Sequence, residues 1–117
     1  MARVIRTRKR EYVSLASSRF GAVYRRGRRS EVGVVLVIQG IGETGPPQVG
    51  IVAGRGVGNA VARNRAKRRL REAIRQVELQ PDTAYVVIAS TGTVEIPFDA
   101  LIEGLGRAIV GTEESKR

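Results

Sequence analysis

Cysteine and histidine are both missing from this chain, and tryptophan with them. Without Cys or His there is no thiol nucleophile, no disulfide, no Cys/His zinc site and no imidazole general base. Aromatic residues are scarce, two Phe and three Tyr, so each one has to be accounted for. No apolar run approaches the roughly 20 residues that span a bilayer. The opening Met-Ala-Arg-Val-Ile-Arg has basic residues but no apolar stretch of signal-peptide length behind them. The expectation is a soluble, cytoplasmic protein. Acidic residues are in deficit too: eleven Asp and Glu face twenty-one Lys and Arg, a formal net charge of +10.

An excess of that size points to a polyanion, nucleic acid first, because cations that bind a charged backbone release its counterions. Arg outnumbers Lys, and its planar fork suits phosphates and base edges. The excess is also localised. Residues 1–75 hold eighteen basic and four acidic groups, whereas residues 76–117 hold three and seven. The partner surface therefore belongs to the first two-thirds of the chain. At 117 residues and 42% hydrophobic, one compact domain with a real core is expected.

Residues 1–14 read as a basic, flexible arm, 15–110 as one α+β domain and 111–117 as a frayed tail. Ser17 can cap a first helix in which Phe20, Val23 and Tyr24 share a face, and Gly27 suits its stop. Phe20 and Tyr24 on that face could be core or a stacking wall. Residues 32–39 form a β-branched run and read as a strand. A Gly- and Pro-rich loop over 40–47 follows, then a second strand over 48–53, expected to pair antiparallel with the first. After a Gly-rich corner, Asn59 is a good N-cap for a long helix from Ala60 to about Val77. Spacing residues by 100° puts Ala62, Ala66, Leu70, Ala73, Ile74 and Val77 on one stripe. Asn64, Arg68, Arg71 and Arg75 lie opposite, with Arg65 and Lys67 on the flanks. A break at 80–82, a strand over 83–89, a turn at 90–93 and a helix with Pro97 at its first position complete the chain. The order of elements implies a small sheet packed with helices.

Eight basic residues lie between Arg55 and Arg75, against Glu72 alone. Like charges three and four apart repel by a few tenths of a kcal/mol, roughly, per pair. Helix stability does not explain the crowding, but phosphates that neutralise it would. The string Arg63-Asn64-Arg65-x-Lys67-Arg68-x-x-Arg71, preceded by Gly58-Asn59-Ala60-Val61, closely resembles the signature of the bacterial ribonuclease P protein subunit family. Phe20-x-x-Val23-Tyr24-x-x-Gly27 resembles that family's first helix. Val49-Gly50-Ile51-Val52 and Tyr85-Val86-Val87-Ile88-Ala89 are similar to its strands. The resemblance runs from about Leu15 to Ile109.

The resemblance implies an αβββαβα sandwich with a left-handed βαβ crossover, including a short strand that the residues themselves did not reveal. It implies a non-catalytic subunit of an endoribonuclease that matures the 5′ ends of tRNA, the catalyst being a large RNA with its own bound Mg²⁺ and the protein binding no metal. Arg63, Asn64, Arg65, Lys67, Arg68 and Arg71 would meet the catalytic RNA. Phe20, Tyr24 and Arg55 would line the cleft for the single-stranded leader of precursor tRNA, where aromatics stack on bases and cations follow the backbone. Three places depart from the family pattern. Val34 and Val37 stand near positions where cleft aromatics are usual, Gly54-Arg55-Gly56 has one cation fewer, and Ser90 replaces a basic residue. Charge and fold class suit a ribosomal or RNA-assembly protein equally well; only the motif separates the two. A membrane-surface role fits poorly, since the apolar stripe is Ala-rich and lacks Trp or Phe anchors.

Overall fold

The structure, a computed structural model, describes residues 11–114. In chain order the elements are β1 (Val13–Ser14), α1 (Ser17–Arg26), β2 (Arg28–Val32), β3 (Val35–Ile41), β4 (Gln48–Val52), α2 (Ala60–Ile74), β5 (Thr83–Ala89) and α3 (Phe98–Glu114). Short 3-10 turns at Arg55–Val57 and Thr91–Val94 precede α2 and α3. From α1 onward the order is αβββαβα, as the resemblance implied.

The five strands lie in the order β1-β4-β5-β3-β2. The expected pairing of β3 with β4 is therefore wrong: β5 lies between them, antiparallel to β3 and parallel to β4. The physical reason is burial. Six of the seven β5 residues are buried, on both faces, and a strand without a polar face belongs in the middle of a sheet covered on both sides. β4, α2 and β5 thus form a parallel strand–helix–strand crossover.

Two short strands went unread in the sequence. β2, Arg-Arg-Ser-Glu-Val, is polar, and such a composition is tolerated at an edge. It pairs with β3 through a two-residue turn, where Gly33 takes φ +59° without penalty. β1 pairs in parallel with β4, and Leu15 N–H donates to the Val49 carbonyl at 3.0 Å. The expected flexible arm is thus tied to the sheet at Val13 and Ser14; residues 1–10 lie outside the described residues. At the other end α3 runs to Glu114, with Thr112 buried and its hydroxyl bonded to Gln39. The expected frayed tail is therefore helical as far as 114.

Helix boundaries differ in detail. Ala16, not Ser17, occupies the N-cap of α1, with no side-chain cap. Gly27 ends α1, but at φ −75°, so left-handed backbone is not the reason. A Cβ there would stand 2.6 Å from the Val23 carbonyl and 2.8 Å from that of Gln39; only glycine lets the helix end press onto β3. Asn59 caps α2 as expected, its Oδ1 accepting the Ala62 N–H at 2.9 Å. α2 ends at Ile74, three residues early, yet Val77 remains fully buried.

The sheet separates two apolar clusters. The larger joins alternate residues of β3, β4 and β5 to α2 and α3: Val35, Val37, Val49, Tyr85 and Val87 against Leu70, Ile74, Leu101 and Leu105. Within it the Tyr85 hydroxyl accepts the Gln80 N–H at 2.9 Å, and burial pushes its pKa up to about 12. The smaller cluster, on the other face, gathers Leu15, Val23, Ile38, Ala84 and Val86 under α1.

Candidate nucleic-acid interface

The inner face of α2 matches the apolar stripe read from the sequence. Ala66, Leu70, Ala73 and Ile74 are buried and Ala62 is half-buried. Asn64, Arg65, Arg68 and Arg71, on the remaining circumference, are exposed. Two other motif residues are less free. Arg63 lies about half a right angle from the centre of the stripe and is half-buried, its guanidinium donating to the Gly58 carbonyl at 3.0 Å. Lys67 is half-buried as well. Arg75 lies over the ring of Tyr12, 5.2 Å from its centroid.

Arg69 is a different kind of cation. Its guanidinium donates to the carbonyls of Thr93 (2.9 Å), Val94 (2.7 Å) and Ile96. It fastens α2 to the turn before α3 and satisfies backbone acceptors that no strand or helix uses. The motif spacing leaves Arg69 out of the RNA-facing set, and the structure shows what it does instead.

On the other face of the sheet, cross-strand rows run through β3, β5 and β4: Gly40–Ala84–Gln48, Ile38–Val86–Gly50 and Leu36–Ile88–Val52. α1 covers the first two. Val23 packs against Gly40, and the ring of Phe20 occupies the place a Gly50 Cβ would take. The third row is only half-buried. Leu36, Ile88 and Val52 therefore floor a groove with Phe20 and Tyr24 along its helical wall. Phe20 is half-buried and packed, whereas Tyr24 is 51% exposed. The guanidinium of Arg29, on β2, stacks 4.6 Å from the Tyr24 centroid and donates to the Tyr24 carbonyl at 2.7 Å. Arg55 is exposed in the turn that leads from β4 to α2.

The floor residues correct one reading. Val37 is fully buried on the α2–α3 face and cannot face this groove, and Val34 packs against that same cluster. Side chains alternate along a strand, so Leu36 takes the position instead. The signal that would have found Leu36, Val52 and Ile88 is the register with β5, which lies in no local pattern. Ser90 caps the turn that follows β5, with its hydroxyl on the Val34 carbonyl at 2.8 Å. Among the described residues no helix is long and apolar enough to cross a membrane.

The family described as Ribonuclease P matches residues 9–112. The chain belongs to the ribonuclease P protein family. The ribonuclease P protein component of Ruegeria pomeroyi is 44% identical over 91 residues, covering 72% of this chain and 73% of its own. That of Symbiobacterium thermophilum is 44% identical over 86 residues, with 70% and 74% covered. Among solved structures, the RNase P protein from Thermotoga maritima superposes with a TM-score of 0.72 at 22% identity, over 89% of this chain and 98% of that one. The Staphylococcus aureus RNase P protein gives 0.69 at 19% identity, over 90% and 97%. These two likenesses concern the fold, and the crossover through α2 is consistent with theirs. The matched residues 9–112 include the basic face of α2 and the groove beside α1.

Proposed function

We propose that the chain is the protein subunit of a ribonuclease P holoenzyme, holding the catalytic RNA on the outer face of α2 and the 5′ leader of precursor tRNA in the groove beside α1. One observation carries this reading. The fold uses the inner face of α2 completely, while exposed Arg65, Arg68 and Arg71 crowd the outside, where they weaken the isolated helix. Phosphates resolve that repulsion. Asn64 among them adds an amide that can donate and accept at once.

In this reading the RNA supplies the chemistry of hydrolysis with its own Mg²⁺. The protein's residues bind and orient: arginine forks fix the RNA backbone in register, and Tyr24 offers a ring face to an unpaired base. The apolar floor of Leu36, Ile88 and Val52 gives bases and sugars a dry surface.

Reconstitution tests this. Purified protein alone leaves precursor tRNA intact with Mg²⁺ present, and adding the cognate large RNA gives 5′ cleavage at protein-stimulated rates. Nuclease-resistant cleavage by the protein alone overturns the subunit role. Recovery of bulk ribosomal RNA, in place of one large RNA with precursor tRNA activity, would make it an RNA-assembly protein.

A further inference from the structure

α1 divides its face of the sheet in two. Phe20 and Tyr24 look toward the groove described above. Arg19, Ala22 and Arg26, three and four residues apart, look to the opposite side. There they wall a second cavity of about 450 Å³, lined also by Gly40 and Thr83, with Ile41 and Arg28 at its exposed rim.

The charges around this cavity are not equivalent. Arg19 is occupied: it pairs with Glu43 at 3.1 Å and donates to the Ile41 carbonyl at 3.2 Å, which holds the 40–47 loop against α1. Asp82, the acid on the lining, has its Oδ1 engaged by the Gly45 N–H at 2.7 Å. Arg26 and Arg28 are exposed and make no side-chain hydrogen bond or ion pair among the described residues. They flank Gly27, whose backbone is pressed onto β3, so their Cα positions are fixed while their guanidinium groups stay exposed. Ile41, 87% exposed, adds an apolar edge beside them. Two exposed arginine forks on a pinned backbone beside an apolar edge suit a phosphodiester with its ribose.

We propose that this second cavity takes the backbone of single-stranded RNA leaving the aromatic groove, with the strand passing over the C-terminal turn of α1. The inference rests on the leader reading above, since the two grooves share α1 as their common wall. Arg26 and Arg28 then hold leader phosphates upstream of those nearest the cleavage site.

The test uses reconstituted holoenzyme and precursor tRNAs whose leaders are trimmed stepwise from the 5′ end. With long leaders, Arg26→Gln/Arg28→Gln weakens binding roughly tenfold. The slope of log affinity against log salt falls by about 1.4, or about 0.7 for each of two lost single-strand contacts. The shortest leaders bind the variant as they bind the parent, and Arg26→Lys/Arg28→Lys keeps most of the long-leader affinity because charge is retained. Equal loss at all leader lengths, or no loss with long ones, overturns the proposal. So does weakened assembly with the large RNA, which would put that RNA in the cavity. Tyr24→Ala, assayed in parallel, separates the two readings. If it weakens leader binding while the arginine pair does not, only the second cavity fails; if it has no leader-dependent effect, the leader groove itself fails.

Discussion

The ring of Phe20 fills the space that a Cβ on Gly50 would need, so helix α1 and strand β4 meet through a side chain and a bare backbone. Gly50→Ala must push the ring off the sheet, and overpacking of this kind costs about 1–3 kcal/mol. Phe20→Leu alone should cost less than that, as the ring is only half-buried. Because the two positions share one space, the double variant should be more stable than the sum of the single losses allows. Chemical denaturation of all four proteins measures the coupling, and strict additivity would contradict the contact.

The cations of α2 should separate into two kinds. Arg65→Ala/Arg68→Ala removes exposed charges, so the melting temperature should hold while affinity for the catalytic RNA falls. The salt slope should flatten by about one unit per lost contact. Arg69→Ala should do the reverse. It strands the carbonyls of Thr93, Val94 and Ile96 and should cost about 1–3 kcal/mol of stability, with an unchanged salt slope for the protein that remains folded. Thermal melts beside salt titrations decide between them.

Tyr24→Ala should weaken binding of precursor tRNA by about 1–3 kcal/mol, the usual worth of one base–aromatic stack. Mature tRNA, which has no leader, should bind as before, and the melting temperature should change little because the residue is 51% exposed. A large drop in melting temperature, with both tRNA forms affected together, would make Tyr24 a packing residue.

Tyr85 predicts a pH effect with a definite sign. Its phenol titrates near 10 in an unfolded chain and is pushed up to about 12 here by burial. Between those values the unfolded state loses the proton and the folded state keeps it, so stability falls as pH rises from about 10 to about 12. Tyr85→Phe should remove that part of the slope, at the cost of leaving the Gln80 N–H without its acceptor. Equilibrium denaturation at stepped alkaline pH reads both effects.

α2 was legible in the sequence because everything it needs is local: Asn59 to cap it, a 3.6-residue apolar rhythm, and cations on the other side. β2 was not, because Arg-Arg-Ser-Glu has little strand propensity and the strand is held by β3 and α3. The groove floor was hidden for another reason. Val34 to Ile38 is an unbroken apolar run, so nothing within it says which residues face α1. Pairing with β5 settles the matter in favour of Leu36 and against Val37. Phe20 and Tyr24 show the same limit on a helix: one helical face, yet one ring packs on the sheet and the other is exposed.

The strand at the centre of the sheet is the last to be synthesised. β3 and β4 have no hydrogen-bonded ladder with each other, and both wait for β5, whose residues pair with partners as far apart as Val35 and Ala89. A chain growing from the ribosome therefore makes its whole basic helix before it can close any core beneath it. Folding of such a nascent chain should be late and cooperative, as pairings of long sequence separation require. Chains arrested before Thr83 should show no stable hydrogen-exchange protection of the strand amides, because the β2–β3 hairpin and the β1–β4 pair, though complete, have no core to rest on. Those released after α3 should show all of the strand amides protected. Until that point the strongly cationic segment is exposed in an unfolded chain, and an RNA that engages it early would act as a folding partner as well as a binding one.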